Sequence, residues 1–305
     1  MRAVYDLRPP EWAETLAVLQ SVSLADVRSE VRARVVAVDG TRVTIDFPAL
    51  DGETSAEQLL AACVAGEWAD RGDFESCRLL SVEWPAELPG PAFGAVEGVQ
   101  VGAILKPALG LSDGEAAQTA ARLVETTGAA LVKDDELQRS SPARVRAVHE
   151  AIPGHVLYAA NATGGDAEAL LAAGARALMI NAFVAGLGSI AALRALGVPI
   201  FVHRVGSSFL RRGGPVSVSA RVLAELTRLL GADYVQVGSF SPRMFDTDDE
   251  VRRQIAACHD ELGDARRATA VIGGGVGPAN AEDTLERAGV ADGVMLLYGS
   301  AAYWP

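Results

Sequence analysis

A (β/α)8 barrel preceded by a small α+β domain is the fold this sequence predicts, on three observations. From residue 100 onward, eight short apolar runs alternate with helix-like stretches at roughly even spacing. Before about residue 95 the character differs: two β-rich runs meet at Asp39-Gly40, a strong hairpin signal. At 305 residues the chain is long enough for a barrel of about 250 residues with an extra domain. A doubly wound open sheet is the alternative, and eight consecutive units favour the barrel.

In chain order, the first domain (residues 1–94) reads as helix 11–22, strands 31–38 and 41–47, helix 55–65 and a strand around 77–83. That is a small, ferredoxin-like α+β arrangement. Pro85, Pro89, Gly90 and Pro91 mark the linker. The barrel (residues 95–305) takes its strands from 101–105, 130–132, 156–160, 177–180, 200–202, 234–237, 270–272 and 294–297. Helix-like stretches fall at 114–126, 141–151, 167–173, 219–230 and 248–262. The sequence stops at Pro305, shortly after the eighth strand. A barrel without its usual closing helix is therefore expected, the gap covered by the first domain or a second subunit.

A net charge of −12 and a pI near 4.9 argue against a nucleic-acid partner or an anionic membrane surface. No apolar run approaches the roughly 18 residues of a membrane span, and the start lacks the apolar core of a secretion signal. Three cysteines, Cys63, Cys77 and Cys258, read as thiols of a cytoplasmic protein. Four scattered histidines offer no zinc spacing.

In a barrel the C-terminal strand ends face the active site, and here they carry the chemistry. Strand 1 ends in Lys106-Pro107, and strand 2 in Lys133-Asp134-Asp135-Glu136. Asn161-Ala162-Thr163-Gly164, Asn181 and His203-Arg204 end the next three. Strand 6 leads toward Arg243, strand 7 ends in Gly273-Gly274-Gly275 and strand 8 in Gly299-Ser300. Carboxylates gathered at a buried strand end oppose burial unless a cation binds them, and Mg²⁺ prefers oxygen ligands. The plainer reading is a solvated loop opening an acidic helix. The chain holds only two lysines, Lys106 and Lys133, against 25 arginines, and both lie at strand ends. Lysine differs from arginine in that its pKa falls on burial, opening base or carbamate chemistry. Glycine amides at a strand-to-helix turn suit a phosphate, although a glycine run is also an ordinary tight turn.

These motifs resemble those of the ribulose-bisphosphate carboxylase (Rubisco) large chain. Residues 104–112 are similar to its first-strand lysine motif, and 132–136 to its second-strand metal motif. Asn161-Ala162-Thr163-Gly164 and His203-Arg204 follow in the same order. The resemblance implies that Lys106 transfers protons. It implies that a carbamate on Lys133, with Asp135 and Glu136, binds Mg²⁺. His203 would lie near the substrate oxygens, with Asn161, Arg204, Arg243, Gly273, Gly274, Gly275 and Gly299 binding a phosphorylated substrate. It also implies a homodimer or higher homo-oligomer with sites shared between subunits.

The departures are informative. Ala108 stands where carboxylases carry a second lysine, and Arg243 where a loop lysine stabilises the carboxylated intermediate. Gln236 replaces a histidine, Gly273 a serine, and Glu67 an asparagine supplied by the partner subunit. The expectation is a Rubisco-like protein of the non-carboxylating type, an isomerase or lyase that removes a proton next to the carbonyl of a phosphorylated keto sugar or sugar acid. Other enediolate chemistry, at a C–C or C-glycosidic bond, and a non-catalytic sugar-phosphate binder are the alternatives.

Overall fold

A computed structural model describes residues 1–17, 33–47, 74–85, 88–106, 110–212 and 214–303. The expected helix 55–65, residues 18–22 of the expected helix 11–22, and positions Glu67, Pro107 and Ala108 lie outside the described residues.

The chain forms two compact units. One comprises Met1–Leu88, Gly206–Leu226 and Leu262–Ala265; the other comprises Pro89–Val205, Thr227–Glu261 and Arg266–Pro305. The two later segments that join the first unit have no counterpart in a simple two-domain reading.

The first unit is a five-stranded sheet of β1 (Arg2–Arg8), β2 (Arg34–Asp39), β3 (Arg42–Asp46), β4 (Ser76–Glu83) and β10 (Val216–Val218), ordered β10-β4-β1-β3-β2. β1 pairs antiparallel with β3 and β4, so β4-β1-β3-β2 is the ferredoxin-like order. Residues Ala3, Tyr5 and Leu7 of β1 are buried, the period of two that one covered face demands. Gly40 turns the β2–β3 hairpin at φ 56°, a conformation that favours glycine. β10 joins β4 in parallel, a pairing 139 residues distant in sequence that no local pattern announces.

The second unit is a closed barrel. Its strands are β5 (Val99–Leu105), β6 (Leu131–Asp134), β7 (Leu157–Asn161), β8 (Ala177–Ile180) and β9 (Ile200–Val202), then β11 (Tyr234–Gln236), β12 (Thr269–Gly273) and β13 (Val294–Tyr298). All neighbours are parallel, and β13 closes on β5. Helices α1 (Asp113–Thr127), α2 (Pro142–Ala151), α3 (Ala167–Ala172), α4 (Ala182–Ala185) and α5 (Gly188–Arg194) follow the first strands. α6 (Ser207–Arg212) and α7 (Ala220–Leu229) flank β10, and α8 (Asp248–His259) and α9 (Ala281–Ala288) complete the series. The starts obey local chemistry: Ser112 with Glu115 and Thr247 with Glu250 form capping boxes on α1 and α8. Gly128 ends α1 at φ 67°.

Leu131, Ala159, Ala177, Met179, Phe201, Tyr234, Val271, Met295 and Leu297 fill the barrel. Gly102 leaves room for Met295, whose sulfur lies 2.7 Å from where a Cβ would stand. After β13 comes a short 3-10 turn, Ser300–Ala302, and then Tyr303. Its hydroxyl accepts from Lys106 N–H (2.6 Å) and donates to Ile104 C=O (3.0 Å), tying down the end of β5.

Candidate active site

Side chains alternate along a strand, and the inward residues of the barrel identify the next layer. Ile104 packs against the core, so Lys106 continues inward. By the same alternation Leu131 leads to Lys133, Ala159 to Asn161, Met179 to Asn181 and Phe201 to His203. Tyr234 leads to Gln236, Val271 to Gly273 and Leu297 to Gly299. The residues singled out in the sequence are thus the layer above the apolar plug, at the C-terminal mouth where barrel chemistry resides.

Lys133 is fully buried. Its Nζ donates to Asp134 C=O at 2.5 Å, sits 3.4 Å from Met179 Sδ and lies 5.8 Å from the centroid of Phe201. It makes no ion pair among the described residues. Burial pushes its pKa down to about 8, outweighing the opposite pull of Glu136, Asp135 and Asp134. Lys106 is a third exposed and pairs with Asp135, Nζ to Oδ2 at 3.1 Å. Burial raises the Asp135 carboxyl, but the Leu137 N–H bond and Lys106 together hold it below its ordinary value.

Asp134, between two of the expected metal ligands, points the other way, toward the helices. Its Oδ2 accepts from Ser140 Oγ, Tyr158 OH (2.8 Å) and Asn161 N–H (3.4 Å). Burial raises its pKa against these donors. Asn161 Nδ2 reaches the carbonyls of Asp135 (3.4 Å) and Glu136 (3.3 Å), and Asn181 Nδ2 the Glu136 carbonyl (2.9 Å). The two asparagines therefore brace the backbone that carries the carboxylates. Asn181 Oδ1 remains buried without a partner. Sequence reasoning missed Asp134, Ser140, Tyr158 and Tyr303; the alternation of Asp134 against Lys133 was the available signal for the first.

His203 Nδ1 accepts from Val205 N–H at 3.1 Å, which places the proton of neutral imidazole on Nε2. That nitrogen lies 3.7 Å from Glu136 Oε2. Burial, reinforced by Lys133, Arg204 and Lys106, holds the His203 pKa well below its usual value. Arg204 Nη2 donates to Asp246 Oδ2 at 2.7 Å, a partner the sequence did not suggest. Arg243 is exposed, and its side chain has no partner among the described residues. The glycine turn takes φ +108° at Gly274 and +77° at Gly275. Both are exposed, and their N–H groups find no acceptor among the described residues. Consecutive amides left free in a turn are a feature that can receive an anion. The segment after the turn begins as a 3-10 turn, Pro278–Asn280, before α9. Asn280 holds that turn against the glycines: its Oδ1 accepts from Gly277 N–H and its Nδ2 donates to Gly275 C=O.

No three His, Cys, Asp or Glu side chains form a metal cage among the described residues. Among the described residues two carboxylates, Asp135 and Glu136, are present, with His203 Nε2 3.7 Å from Glu136 and the amines of Lys106 and Lys133 close by.

Comparison with known proteins agrees with this frame. Residues 92–303 match the family described as ribulose bisphosphate carboxylase large chain, catalytic domain. The chain is 28% identical over 292 residues to the 3-oxo-isoapionate-4-phosphate decarboxylase of Rhizobium etli, covering 84% of this chain and 69% of that protein. The crystal structure of a Rubisco-like protein from Burkholderia fungorum superposes with a TM-score of 0.84 at 24% identity, covering 98% of this chain and 88% of the other. The octameric Rubisco of Pyrococcus horikoshii gives 0.85 at 24% identity, covering 98% and 82%. With the family motif spanning more than half of its length, the chain belongs to the Rubisco large-chain catalytic-domain family.

Proposed function

We propose that the chain is a Mg²⁺-dependent Rubisco-like enzyme that forms an enediolate from a phosphorylated keto sugar or sugar acid, by loss of an α-proton or of CO₂, and that it fixes no CO₂. The observation that carries this is the convergence at one barrel mouth of Lys106, Asp135, Glu136 and a buried Lys133 that makes no ion pair among the described residues.

The donor set suits a hard divalent cation. Asp135 and Glu136 supply two oxygen anions, and a third would come from Lys133 after its amine adds CO₂ with loss of a proton. An amine shifted to about 8 and free of ion pairs is available in the neutral, nucleophilic form that this addition needs. When bound, Mg²⁺ supplies a Lewis acid that polarises the substrate carbonyl and stabilises developing negative charge.

The chain's own groups do the rest. Lys106 Nζ pairs with Asp135 Oδ2 at the mouth and is the group placed to accept the α-proton as an amine or, as ammonium, to return one to carbon. His203, neutral with Nε2–H, is a hydrogen-bond donor toward substrate oxygen. Gly274 and Gly275, with Gly299 just past the end of β13, receive the phosphate; Arg204 and Arg243 contact the remainder. A 3-oxo acid such as that named for the R. etli decarboxylase fits this chemistry, because breaking its C–C bond leaves the electron pair in the same enediolate. A homodimer or higher assembly in the cytoplasm is part of this reading, in keeping with the octameric P. horikoshii relative.

The test is proton NMR in D₂O with Mg²⁺, bicarbonate and a panel of phosphorylated ketoses and 3-oxo sugar acids. We expect metal-dependent loss of an α-proton signal or release of CO₂, and neither in Lys133→Ala. A compound that binds yet shows neither reaction in the wild-type protein would turn the reading toward a non-catalytic binder.

A further inference from the structure

Building on that reading, we infer that Asp246 is a specificity-determining residue: it converts the Arg204 end of the site from a phosphate anchor into a subsite for an uncharged oxygen. The substrate class is then a monophosphate, its phosphate on the glycine turn and a hydroxyl or carbonyl at Arg204.

The placement of the carboxylate is the first reason. Asp246 ends the loop between β11 and α8, one residue before the Thr247 cap. Its side chain is fully buried and its Oδ2 takes Arg204 Nη2 at 2.7 Å. The other oxygen lies 3.5 Å from Gln254 Nε2, while Gln254 Oε1 accepts from Gly238 N–H at 3.1 Å. Gly238 packs so closely that a Cβ there would stand 3.0 Å from Asp246 Oδ2 and 2.8 Å from Val251. Helix, loop and carboxylate thus fix one another, and the carboxylate has no free direction in which to swing from Arg204.

The second reason is charge. A phosphate drawn to Arg204 would come up against a buried anion already sharing that guanidinium. Repulsion between like charges removed from water is strong. An uncharged oxygen meets no such repulsion.

The third is the pair of unmet hydrogen-bonding atoms. Arg204 Nη1 is a buried donor without an acceptor, and Gln236 Oε1 a buried acceptor without a donor. Their strands are neighbours, and the pairing of Val235 with Val202 brings Gln236 alongside His203. A hydroxyl can accept from a donor such as Arg204 Nη1 or donate to an acceptor such as Gln236 Oε1. A phosphate dianion has no hydrogen to give and leaves Gln236 Oε1 unmet. The phosphate has a better place at Gly274 and Gly275, whose amides are exposed and unpaired.

The experiment is calorimetric titration of the Mg²⁺- and bicarbonate-treated protein with two probes, ribulose 5-phosphate and ribulose 1,5-bisphosphate. In the wild-type protein the second phosphate should add nothing, leaving the two affinities within about threefold of each other; in Asp246→Asn the bisphosphate should gain about tenfold while the monophosphate is unchanged. A wild-type preference for the bisphosphate of about tenfold or more overturns the inference, and that measurement does not depend on how the variant folds. So does an unchanged ratio in an Asp246→Asn protein whose melting curve matches wild type. Both results leave the enediolate proposal standing. Failure of the wild-type protein to bind either probe or inorganic phosphate would instead remove the sugar-phosphate reading, and this inference with it.

Discussion

Truncating the two lysines should produce different failures, because they hold different positions in the same cluster. Lys106 competes with a cation for Asp135 Oδ2. Lys106→Ala should therefore keep or improve Mg²⁺ affinity while proton exchange falls by about 10²–10⁴, the usual worth of a placed acid–base group. Lys133→Ala should lose both, since the third oxygen anion disappears with the amine. Titration with Mn²⁺ followed by electron paramagnetic resonance, beside the exchange assay, separates the two. The Lys133 amine also sets a pH dependence. With its pKa lowered to about 8, the neutral fraction grows as pH rises from 7 to 9, so bicarbonate-dependent Mn²⁺ affinity should rise over that interval and stay flat in Lys133→Arg. Asp134 belongs to stability instead. Asp134→Ala strips Tyr158 OH and Ser140 Oγ of their shared acceptor, while Asn161 N–H keeps Ser140 Oγ at 2.7 Å. Each buried donor left unsatisfied costs about 1–3 kcal/mol, whereas Tyr158→Phe removes a single bond for about 1 kcal/mol. Urea denaturation of the two variants should show that order.

At the scale of elements, the glycine turn and α8 make opposite demands. Gly275 lies at φ +77°, and a Cβ there would stand 3.0 Å from Ser241 Oγ. Gly275→Ala should strain the turn by about 1–2 kcal/mol and push Ser241 outward, lowering inorganic phosphate affinity. Isothermal titration with phosphate reads that loss directly. α8 is docked through His259, whose Nε2 lies 3.1 Å from Gly293 C=O at the foot of β13. Burial and Arg267 hold its pKa below 6.5 against the pull of the Gly293 carbonyl. A histidine depressed in the folded state takes up its proton more readily when unfolded, so stability falls as pH drops below 6.5. His203 shifts in the same direction. His259→Gln should flatten part of the decline in melting temperature between about pH 6.5 and 5. The barrel strands were legible because each is an apolar run covered on both faces, and their ends followed at once. β10 was not, since a three-residue strand acquires its identity from β4 far away in the chain. β1 carries the alternation of a half-buried strand at Ala3, Tyr5 and Leu7 and was legible in the sequence, though the expected strands begin only at residue 31. The Arg204–Asp246 pair joins residues 42 apart through a loop, and nothing in either local sequence predicts it.

Considered as a whole molecule, the chain spends its net charge of −12 on a surface that repels anions, while both of its lysines lie at one rim. A phosphorylated substrate is therefore held by local groups and not by the overall field. The departures from the carboxylase pattern divide accordingly: Arg243, Gln236 and Gly273 lie on the barrel, whereas Glu67 lies in the segment expected to come from a partner subunit and outside the described residues. If each site is completed by a second copy, a barrel defect and a Glu67 defect should complement each other. Lys106→Ala and Glu67→Ala homo-oligomers should each be inactive in the exchange assay. Mixed under conditions that allow subunit exchange, they should recover about one quarter of wild-type activity. Half of the random pairs in a two-fold symmetric dimer are mixed, and each mixed pair has one intact site of two. Sedimentation velocity on the same mixture should show a species heavier than the 31.8 kDa chain. Equal inactivity of the mixture and of the separate variants, with subunit exchange demonstrated, would mean that the barrel completes its site without its neighbour.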